Sequence, residues 1–584
     1  MSALVRKIKD LQSLIGLHSQ TILICIIGIV VALLVLPPIG GLLFSSFRFT
    51  EGRLPFEPTS YTIANYVNVL TSGVTLRLFL NTVLYAAGSV AFGLGIATTF
   101  AWFLERTNIP FRRAMLVMII APLGMPMIIA SMAWAQLANP ANGFLNIILR
   151  MIPGIGRPGP LNIYSISGMT IVTGLIFAPL MYLMISGVFS RIDPSLEEAG
   201  KTCGAGSLSV FRRVTLPLLG PALFSALIYY MVVTMETFEI PAMLGLPRQI
   251  LVFSSGIFYA INPMQGGVLP DYGTASVYGV VLLLIAGIGI YAYGRYIKQA
   301  ERFATITGRG YRPRIIDLGR WRYVPTVFMS GYFVLIVVMP ILVLLWTSLA
   351  PPYRTFSISA FSKLSLDHYR RVLDYPYLWI AVKNTLTISI SVPTIAMLIV
   401  TFVSWLSVRG KVRGAWILDR LTFVILGIPG IVLAMVLMFL YAPLPFPIYG
   451  TIWVIVIAGI TRSLPFGTRL MTSAFLQLHK ELEEAASTSG AGLRPTLFRI
   501  VIPLLWPSFV RGYLWFFVAS MRDTTMALVL YTAGNQTLAV TLWFLWMEDM
   551  RLAEASAIAV PMMLFTVILT YLVVGRTILK EQGT

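Results

Sequence analysis

Residues 198–217 read EAGKTCGAGSLSVFRRVTLP, and residues 484–503 read EAASTSGAGLRPTLFRIVIP. The two segments share a glutamate, a glycine and a proline at an offset of 286 residues, with no gap between them. Each is a polar, helix-forming segment set between strongly apolar ones. A membrane protein that carries one such segment in each half presents two matched surfaces on one side of the bilayer. Two matched surfaces fit a partner with two-fold symmetry.

Apolar residues dominate the composition of the 584-residue chain. The sequence is 57% hydrophobic and 11% charged, and its mean hydropathy is +0.83, far from the average of soluble globular proteins. We therefore predict an all-α polytopic membrane protein with about twelve transmembrane helices of roughly 20 residues each. The apolar runs are 22–45, 81–104, 114–137, 166–189, 218–240 and 274–297, then 325–349, 384–408, 418–441, 450–475, 505–530 and 555–578.

The distribution of charge matters more than the formal net charge of +20. Basic residues collect in alternate loops, such as Arg191, Lys201 and Arg212, whereas the loop 441–450 carries no charge. By the positive-inside rule, both termini and both quoted segments lie in the cytoplasm. We predict a multi-pass membrane protein, with the lipid bilayer and not nucleic acid as its partner.

The residue types needed for catalysis or metal binding are sparse. The two cysteines, Cys25 and Cys203, cannot form a disulfide framework, and the three histidines are scattered. No G-x-x-x-x-G-K-[ST] phosphate-binding motif occurs. We predict that the chain is not an enzyme and has no catalytic residues, metal site or cofactor of its own.

An internal repeat extends well beyond the two quoted segments. Asn81-Thr82 matches Asn384-Thr385, and Pro126 matches Pro429, at an offset of 303 residues. From Pro179 and Pro465 onward the offset is 286, so the first half carries 17 extra residues. The simplest place for them is the Gly/Pro-rich loop 139–162. Two halves with the same even number of spans share their orientation, which gives a parallel repeat.

The repeat also predicts the domain borders. We assign residues 1–298 to the first half and residues 324–584 to the second, six spans each. The basic, glycine-containing segment 299–323 between them reads as a cytoplasmic linker. The polar loop of the first half is 191–217, and that of the second half is 476–503.

Each polar loop predicts a helix–turn–helix along the inner face of the membrane. Helix formers follow Pro194, and Gly204 and Gly490 are suited to end the first helix because glycine adopts the left-handed conformation cheaply. Small residues beside Glu198 and Glu484 allow another protein to approach the backbone closely. The alternative is an amphipathic interfacial loop whose glutamate is only solvated.

Both loops resemble the signature of binding-protein-dependent ABC importer permeases, Glu-Ala-Ala-x3-Gly-x9-Ile-x-Leu-Pro. This resemblance implies a fused double permease of the type I fold in a bacterial cytoplasmic (inner) membrane. It also implies a cytoplasmic ABC ATPase homodimer that binds ATP and Mg, and a periplasmic or lipid-anchored solute-binding protein. The residues that match the ATPase-coupling motif are Glu198, Ala199, Gly200, Gly204, Leu216, Pro217, Glu484, Ala485, Ala486, Gly490, Ile502 and Pro503.

The length of the chain and the sequence of its linker narrow the resemblance to one group of importers. Fused double permeases of this length, and the stretch from Phe303 to Trp321, are similar to iron(III) importers. Thiamine, polyamine and phosphonate importers have related permeases and remain alternatives within the class. A secondary, ion-coupled transporter is the alternative from another class, because it also has twelve spans in two repeats.

Charged residues inside predicted spans are the candidates for the translocation pathway, because each costs free energy to insert. Glu236 aligns with Arg522 at the offset of 286, and we hypothesise that they meet as part of an outer gate. The alternative places them, hydrated and idle, in the headgroup zone. Further candidates are Glu239 and Asp523, which together with Glu236 could bind ferric iron transiently through oxygen ligands. Arg462 and Arg469 either line a vestibule or extend to the surface.

Overall fold

The computed structural model of the chain describes residues 2–50, 52–189, 198–200, 202–263, 269–300, 315–351, 358–409, 414–479 and 481–575. Regular structure in these ranges is helical, with two isolated β-bridges. The start of the first polar loop (191–197, with Leu196), Lys201 and linker residues 301–314 lie outside the described residues.

The α-helices of the first repeat lead up to the linker. In chain order they are α1 (Ser2–Ser46), α2 (Ala64–Thr71), α3 (Gly73–Arg106), α4 (Arg112–Ile120), α5 (Met127–Leu137), α6 (Phe144–Leu149), α7 (Ile166–Phe189), α8 (Ser207–Val210), α9 (Leu216–Glu236), α10 (Phe253–Ile261) and α11 (Tyr272–Ala300).

The α-helices of the second repeat follow in a similar order. They are α12 (Tyr323–Phe333), α13 (Met339–Leu349), α14 (Asp367–Leu373), α15 (Leu378–Arg409), α16 (Ala415–Val424), α17 (Gly430–Tyr441), α18 (Ile452–Gln477), α19 (Glu481–Thr488), α20 (Leu493–Thr496), α21 (Ile502–Met521), α22 (Thr525–Val529), α23 (Leu538–Trp543) and α24 (Leu552–Thr570).

Membrane-spanning helices account for most of the described residues. Ten are long and apolar enough to cross a bilayer, and three further pairs of helices qualify only as broken spans. Large apolar side chains such as Leu33 (63% exposed) and Ile288 (69% exposed) lie on their surfaces. Such exposure of apolar side chains suits lipid, not water, as the surrounding solvent. The all-α polytopic prediction of about twelve spans is confirmed.

Two of the predicted spans are not straight. The chain bends by 101° between Gly124 and Met127, and by 104° between Gly427 and Gly430. Pro126 and Pro429 lie at these breaks in extended conformations. Proline lacks an N–H and disfavours a helical residue before it, so each proline ends one helix and begins the next. The uninterrupted spans predicted at 114–137 and 418–441 are therefore wrong in this respect.

The fifth span of each repeat is shorter than predicted. Helix α9 ends at Glu236, not at residue 240, because Thr237 is already extended with ψ of 127°. Helix α21 ends at Met521, not at residue 530. A broken helical segment follows each of them. In the first repeat that segment bends by 80° between Arg248 and Phe253.

The compact units of the chain exchange helices between the repeats. One unit combines residues 1–63 and 271–276 with residues 379–537 of the second repeat. The other unit combines residues 64–270 of the first repeat with residues 277–378 and 538–584. Each unit therefore combines helices of both repeats.

Close helix packing organises the unit that contains α3 and α7. A Cβ atom on Gly93 would lie 2.8 Å from the carbonyl oxygen of Gly174, so only glycine allows the two backbones to come this close. Nearby, the Tyr85 and Thr173 hydroxyls are 2.7 Å apart. Tyr332 of α12 donates to the Leu175 carbonyl oxygen at 2.7 Å. These contacts fix α7, which leads directly into the first polar loop.

The end of the linker is attached to the short loop after α3. Ile316 donates its N–H to the Arg106 carbonyl oxygen at 2.7 Å, and the Asn108 amide donates to the Asp317 carboxylate. Hydrogen bonds from the Gly319 backbone N–H and then from Asn108 hold the pKa of Asp317 below its usual value.

Candidate functional site: the coupling loops

The two polar loops end their first helix with the same backbone geometry. Gly204 and Gly490 both have φ of +81°. The residue after each glycine donates its N–H back to the helix: Ala205 to the Gly200 carbonyl oxygen at 3.1 Å, and Ala491 to that of Ala486 at 2.9 Å. This is the Schellman pattern, in which a left-handed residue reverses the chain and satisfies the last carbonyl groups. The prediction that each glycine ends a helix is confirmed by this geometry.

The helix before each glycine exposes its glutamate-alanine side. Glu198, Ala199, Glu484 and Ala485 are exposed. The next position faces inward: Ala486 is 8% exposed. A Cβ atom added to the equivalent Gly200 would lie 3.2 Å from Val210 Cγ2. A small residue is thus needed where this helix meets the next one, while the glutamate-alanine side stays accessible.

Each loop then joins its fifth span without a break. Short π-helical segments, Phe211–Thr215 and Leu497–Val501, run directly into α9 and α21. Pro217 and Pro503 are the second residues of these α-helices, so a π-helical turn comes shortly before each proline, which has no N–H to donate to that turn. Leu216 and Ile502, one residue earlier, are 36% and 37% exposed. A displacement of either loop is therefore passed along a continuous helix.

In each repeat an asparagine holds the segment that follows the fifth span. The sequence singled out these asparagines only because they recur at matching positions of the repeat. Asn81 donates its amide to the Leu251 carbonyl oxygen at 3.0 Å. The equivalent Asn384 donates to the Gln536 carbonyl oxygen at 2.9 Å. Thr82 adds an oxygen that accepts the Phe253 N–H at 2.9 Å. Irregular backbone within a membrane needs such partners, because lipid offers none.

The pathway candidates lie at the ends of the fifth spans. Glu236 is the last residue of α9, and Glu239, in the segment that follows, is 8% exposed. In the second repeat Arg522 follows the last residue of α21. Asp523 accepts the Met526 N–H at 3.0 Å and so caps the short helix α22.

The two arginines of α18 contact the broken span beside it. Arg462 donates to the carbonyl oxygen of Ile428, the residue before Pro429, at 2.8 Å. Arg469 forms an ion pair with Asp419 at 3.5 Å and lies 4.6 Å from the centroid of the Phe423 ring. Their guanidinium groups thus hold α16 and α17 against α18. Among the residues that the structure describes, no group of three or more His, Cys, Asp or Glu side chains is arranged to hold a metal ion.

These features define a class of protein: a duplicated, all-helical membrane permease with one exposed polar loop in each repeat, which we call the coupling loops because they match the ATPase-coupling motif. The family described as binding-protein-dependent transport system inner membrane component matches residues 89–302 and 401–577. The chain belongs to this family and carries its domain twice. It is a multi-pass inner-membrane permease of a binding-protein-dependent ABC importer. ATP hydrolysis belongs to a separate subunit, so the chain is not an enzyme.

Relatives of similar length carry names that include a solute. The ferric transport system permease protein FbpB of Actinobacillus pleuropneumoniae is 25% identical over 90% of this chain and 76% of its own length. The putative ferric transport system permease protein FbpB 1 of Haemophilus influenzae is 25% identical over 88% of this chain and 78% of its own. The Fe(3+)-transport system permease protein FbpB 2 of the same species is 23% identical over 89% and 94%. Membership of the importer family sets aside the secondary-transporter alternative.

Proposed function

We propose that this permease imports ferric iron, delivered by a periplasmic or lipid-anchored binding protein. The observation that carries the proposal is that relatives named for ferric transport match along 88–90% of the chain, across both repeats and the linker. Iron here is the transported solute, not a resident cofactor. Thiamine, polyamines and phosphonates are the solutes to test against it.

A cytoplasmic ABC ATPase homodimer is the proposed source of energy, with ATP and Mg on that partner. Two loops with the same Schellman geometry offer it two equivalent surfaces, which suits a two-fold symmetric dimer. Closure of the dimer on ATP would move both loops, and the continuous helices α9 and α21 would pass the movement to the membrane. The ATPase favours one state of the permease by its higher affinity for that state.

Orientation follows from the same proposal. Both loops, both termini and the linker face the cytoplasm, as the positive-inside rule predicts. The loop 139–162 then faces the binding protein. Glu236 and Arg522, at the far ends of the fifth spans, are proposed to form part of an outer gate that is closed when their opposite charges meet.

Reconstitution tests the proposal directly. The permease, its ATPase and its binding protein are placed in liposomes, and ATP-dependent uptake is measured with ferric iron, thiamine, spermidine and a phosphonate. We expect vanadate-sensitive uptake of iron alone. Uptake of another solute would overturn the iron assignment, and uptake without the ATPase would overturn the coupling assignment.

A further inference from the structure

A cavity lies within one unit, at the ends of helices α5, α13 and α24 (residues 64–270, 277–378 and 538–584 form this unit). Its volume is about 680 Å³, within the roughly 300–1,000 Å³ range of small-molecule sites. Helix α7 crosses between this region and the first coupling loop, so the cavity lies on the side of the membrane away from that loop. The coupling mechanism does not use it.

The cavity is apolar at one end and polar at the other. Its walls include Met339, Leu342 and Val343 of α13, and one to two turns further along the same helix they include Thr347. Helix α13 from Met339 to Leu349 is about 15 Å long at 1.5 Å per residue. This length is close to half of a hydrocarbon core of about 30 Å, which is the depth of one leaflet.

Gln136 gives the polar end an unusual feature. Its Oε1 accepts the Thr347 hydroxyl, whereas its Nε2 is buried and has no hydrogen-bond partner among the described residues. A buried donor without an acceptor is costly, so an amide in this position favours a ligand with an acceptor oxygen.

The other repeat fills the same position with aromatic rings. The residue 303 positions after Gln136 is Phe439, which is fully buried. Its ring packs edge-to-face against Tyr272, with centroids 5.3 Å apart. The amide at Gln136, where the duplicated position has a phenylalanine, therefore belongs to a feature of one repeat alone.

Arg551 and Glu554 line the polar end of the cavity, and a second arginine, Arg371, lies beside them. Leu342 on its wall is 52% exposed and belongs to a membrane-spanning helix, whereas Phe361, which is 53% exposed, lies in the segment that follows this helix. At the polar end the carboxylate of Glu554 lies 3.5 Å from Arg551 and 3.9 Å from Arg371. Two guanidinium groups thus share one carboxylate, which leaves donors for a phosphate. His368 Nδ1 is also 3.9 Å from Glu554, and Tyr164 on the cavity wall is a further titratable group.

We propose that this cavity binds one glycerophospholipid from the surrounding leaflet. One acyl chain lies along Met339, Leu342 and Val343. An ester carbonyl oxygen accepts the Nε2–H of Gln136, and the phosphate lies near Arg551. The proposal depends on the fold of this unit and not on the identity of the imported solute.

Native mass spectrometry of the full chain tests the site. The protein is purified in mild detergent from membranes that contain phosphatidylethanolamine and phosphatidylglycerol. We expect one phospholipid per chain to survive detergent exchange. Val343→Trp fills the cavity and should abolish this retention. Ile568→Trp makes a comparable change on the lipid-facing side of α24, outside the cavity, where Ile568 is 58% exposed, and should leave retention unchanged.

Gln136→Leu provides a second test if the tryptophan variant does not fold. It removes only the amide, and we expect retention to fall about fivefold, as for the loss of one hydrogen bond. Retention by Val343→Trp or Gln136→Leu at the wild-type level would overturn the site. So would a wild-type protein that retains no phospholipid, or only detergent or free fatty acid.

Discussion

Arg409 and Glu483 form an ion pair at 3.0 Å that ties the second coupling loop to the helix bundle. Arg409 is the last residue of α15, and Glu483 lies in α19, one residue before the motif glutamate. The arginine is 7% exposed, and it also donates to the carbonyl oxygens of Phe475 and Leu478 at the end of α18. One side chain thus joins two spans to the helix that carries Glu484.

This pairing predicts that Arg409→Ala uncouples the importer. Loss of a largely buried partner costs about 3 kcal/mol and leaves α19 without its attachment to α15 and α18. We expect ATP hydrolysis to continue. Solute uptake, and the stimulation of ATP hydrolysis by the loaded binding protein, should each fall at least tenfold, a change that needs only about 1.4 kcal/mol. ATPase and uptake assays on the same proteoliposomes give the ratio of solute transported to ATP hydrolysed.

Two further variants separate pairing from general damage. Glu483→Gln keeps the Arg409 contacts with the carbonyl oxygens and should lose less coupling than Arg409→Ala. Glu481→Gln changes an exposed glutamate of the same helix and should behave as wild type. Full coupling in Arg409→Ala would contradict the assignment.

The matched glycines predict equal effects in the two loops. Valine at Gly204 or Gly490 must adopt φ of +81°, which costs a residue with a Cβ roughly 1–2 kcal/mol or more. We expect each variant to weaken co-purification of the ATPase, and the double variant to abolish it. Gly206→Ala is the control, because it has open space around its Cβ position and no positive φ. An effect in one loop only would argue against two equivalent docking surfaces.

The sequence predicts those parts of the molecule that depend on residue identity at fixed spacing. Gly204 and Gly490 could be assigned as helix ends because a left-handed cap has a strong residue preference. The breaks at Pro126 and Pro429 were hidden because both prolines lie within apolar runs, and hydropathy does not register a bend. Prolines also occur inside unbroken helices of this chain, such as Pro179 in α7.

Long-range hydrogen bonds were the least accessible to prediction. Asn81 and Asn384 stood out as repeated residues, but their carbonyl partners lie 170 and 152 positions further along the chain. Nothing in the local pattern pairs a side chain with a carbonyl group at that distance. The way these asparagines hold the segments after the fifth spans could therefore be seen only in the three-dimensional structure, where the side chain and its carbonyl partner are both located.

The proposed outer gate predicts a charge-reversal rescue. Glu236→Arg and Arg522→Glu should each impair uptake, since each places like charges at symmetry-related positions. The double reversal restores opposite charges and should recover part of the uptake. Transport assays at matched expression levels provide the measurement. Normal uptake by both single variants would remove the gate and leave these residues as hydrated ends of α9 and α21.

The loop 139–162, where the first repeat has its extra residues, allows a test of its own rigidity and of the orientation of the chain in the membrane. Asn146 is fully buried. Its amide donates to the carbonyl oxygens of Asn139 and Leu161 at 2.8 Å each, and its Oδ1 accepts the Leu161 N–H at 3.0 Å. Asn146→Ala leaves these buried groups unpaired, at a cost of about 1–3 kcal/mol.

We expect trypsin to cleave after Arg150 faster in Asn146→Ala than in wild type, because cleavage requires the loop to open locally. Asn142→Ala, at an exposed position of the same loop, is the control and should match wild type. In right-side-out vesicles the site should be open to external trypsin. Cleavage only in inverted vesicles would place this loop on the ATPase side. The first coupling loop, separated from it by α7, would then face outward, and the proposed direction of energy transfer would fail.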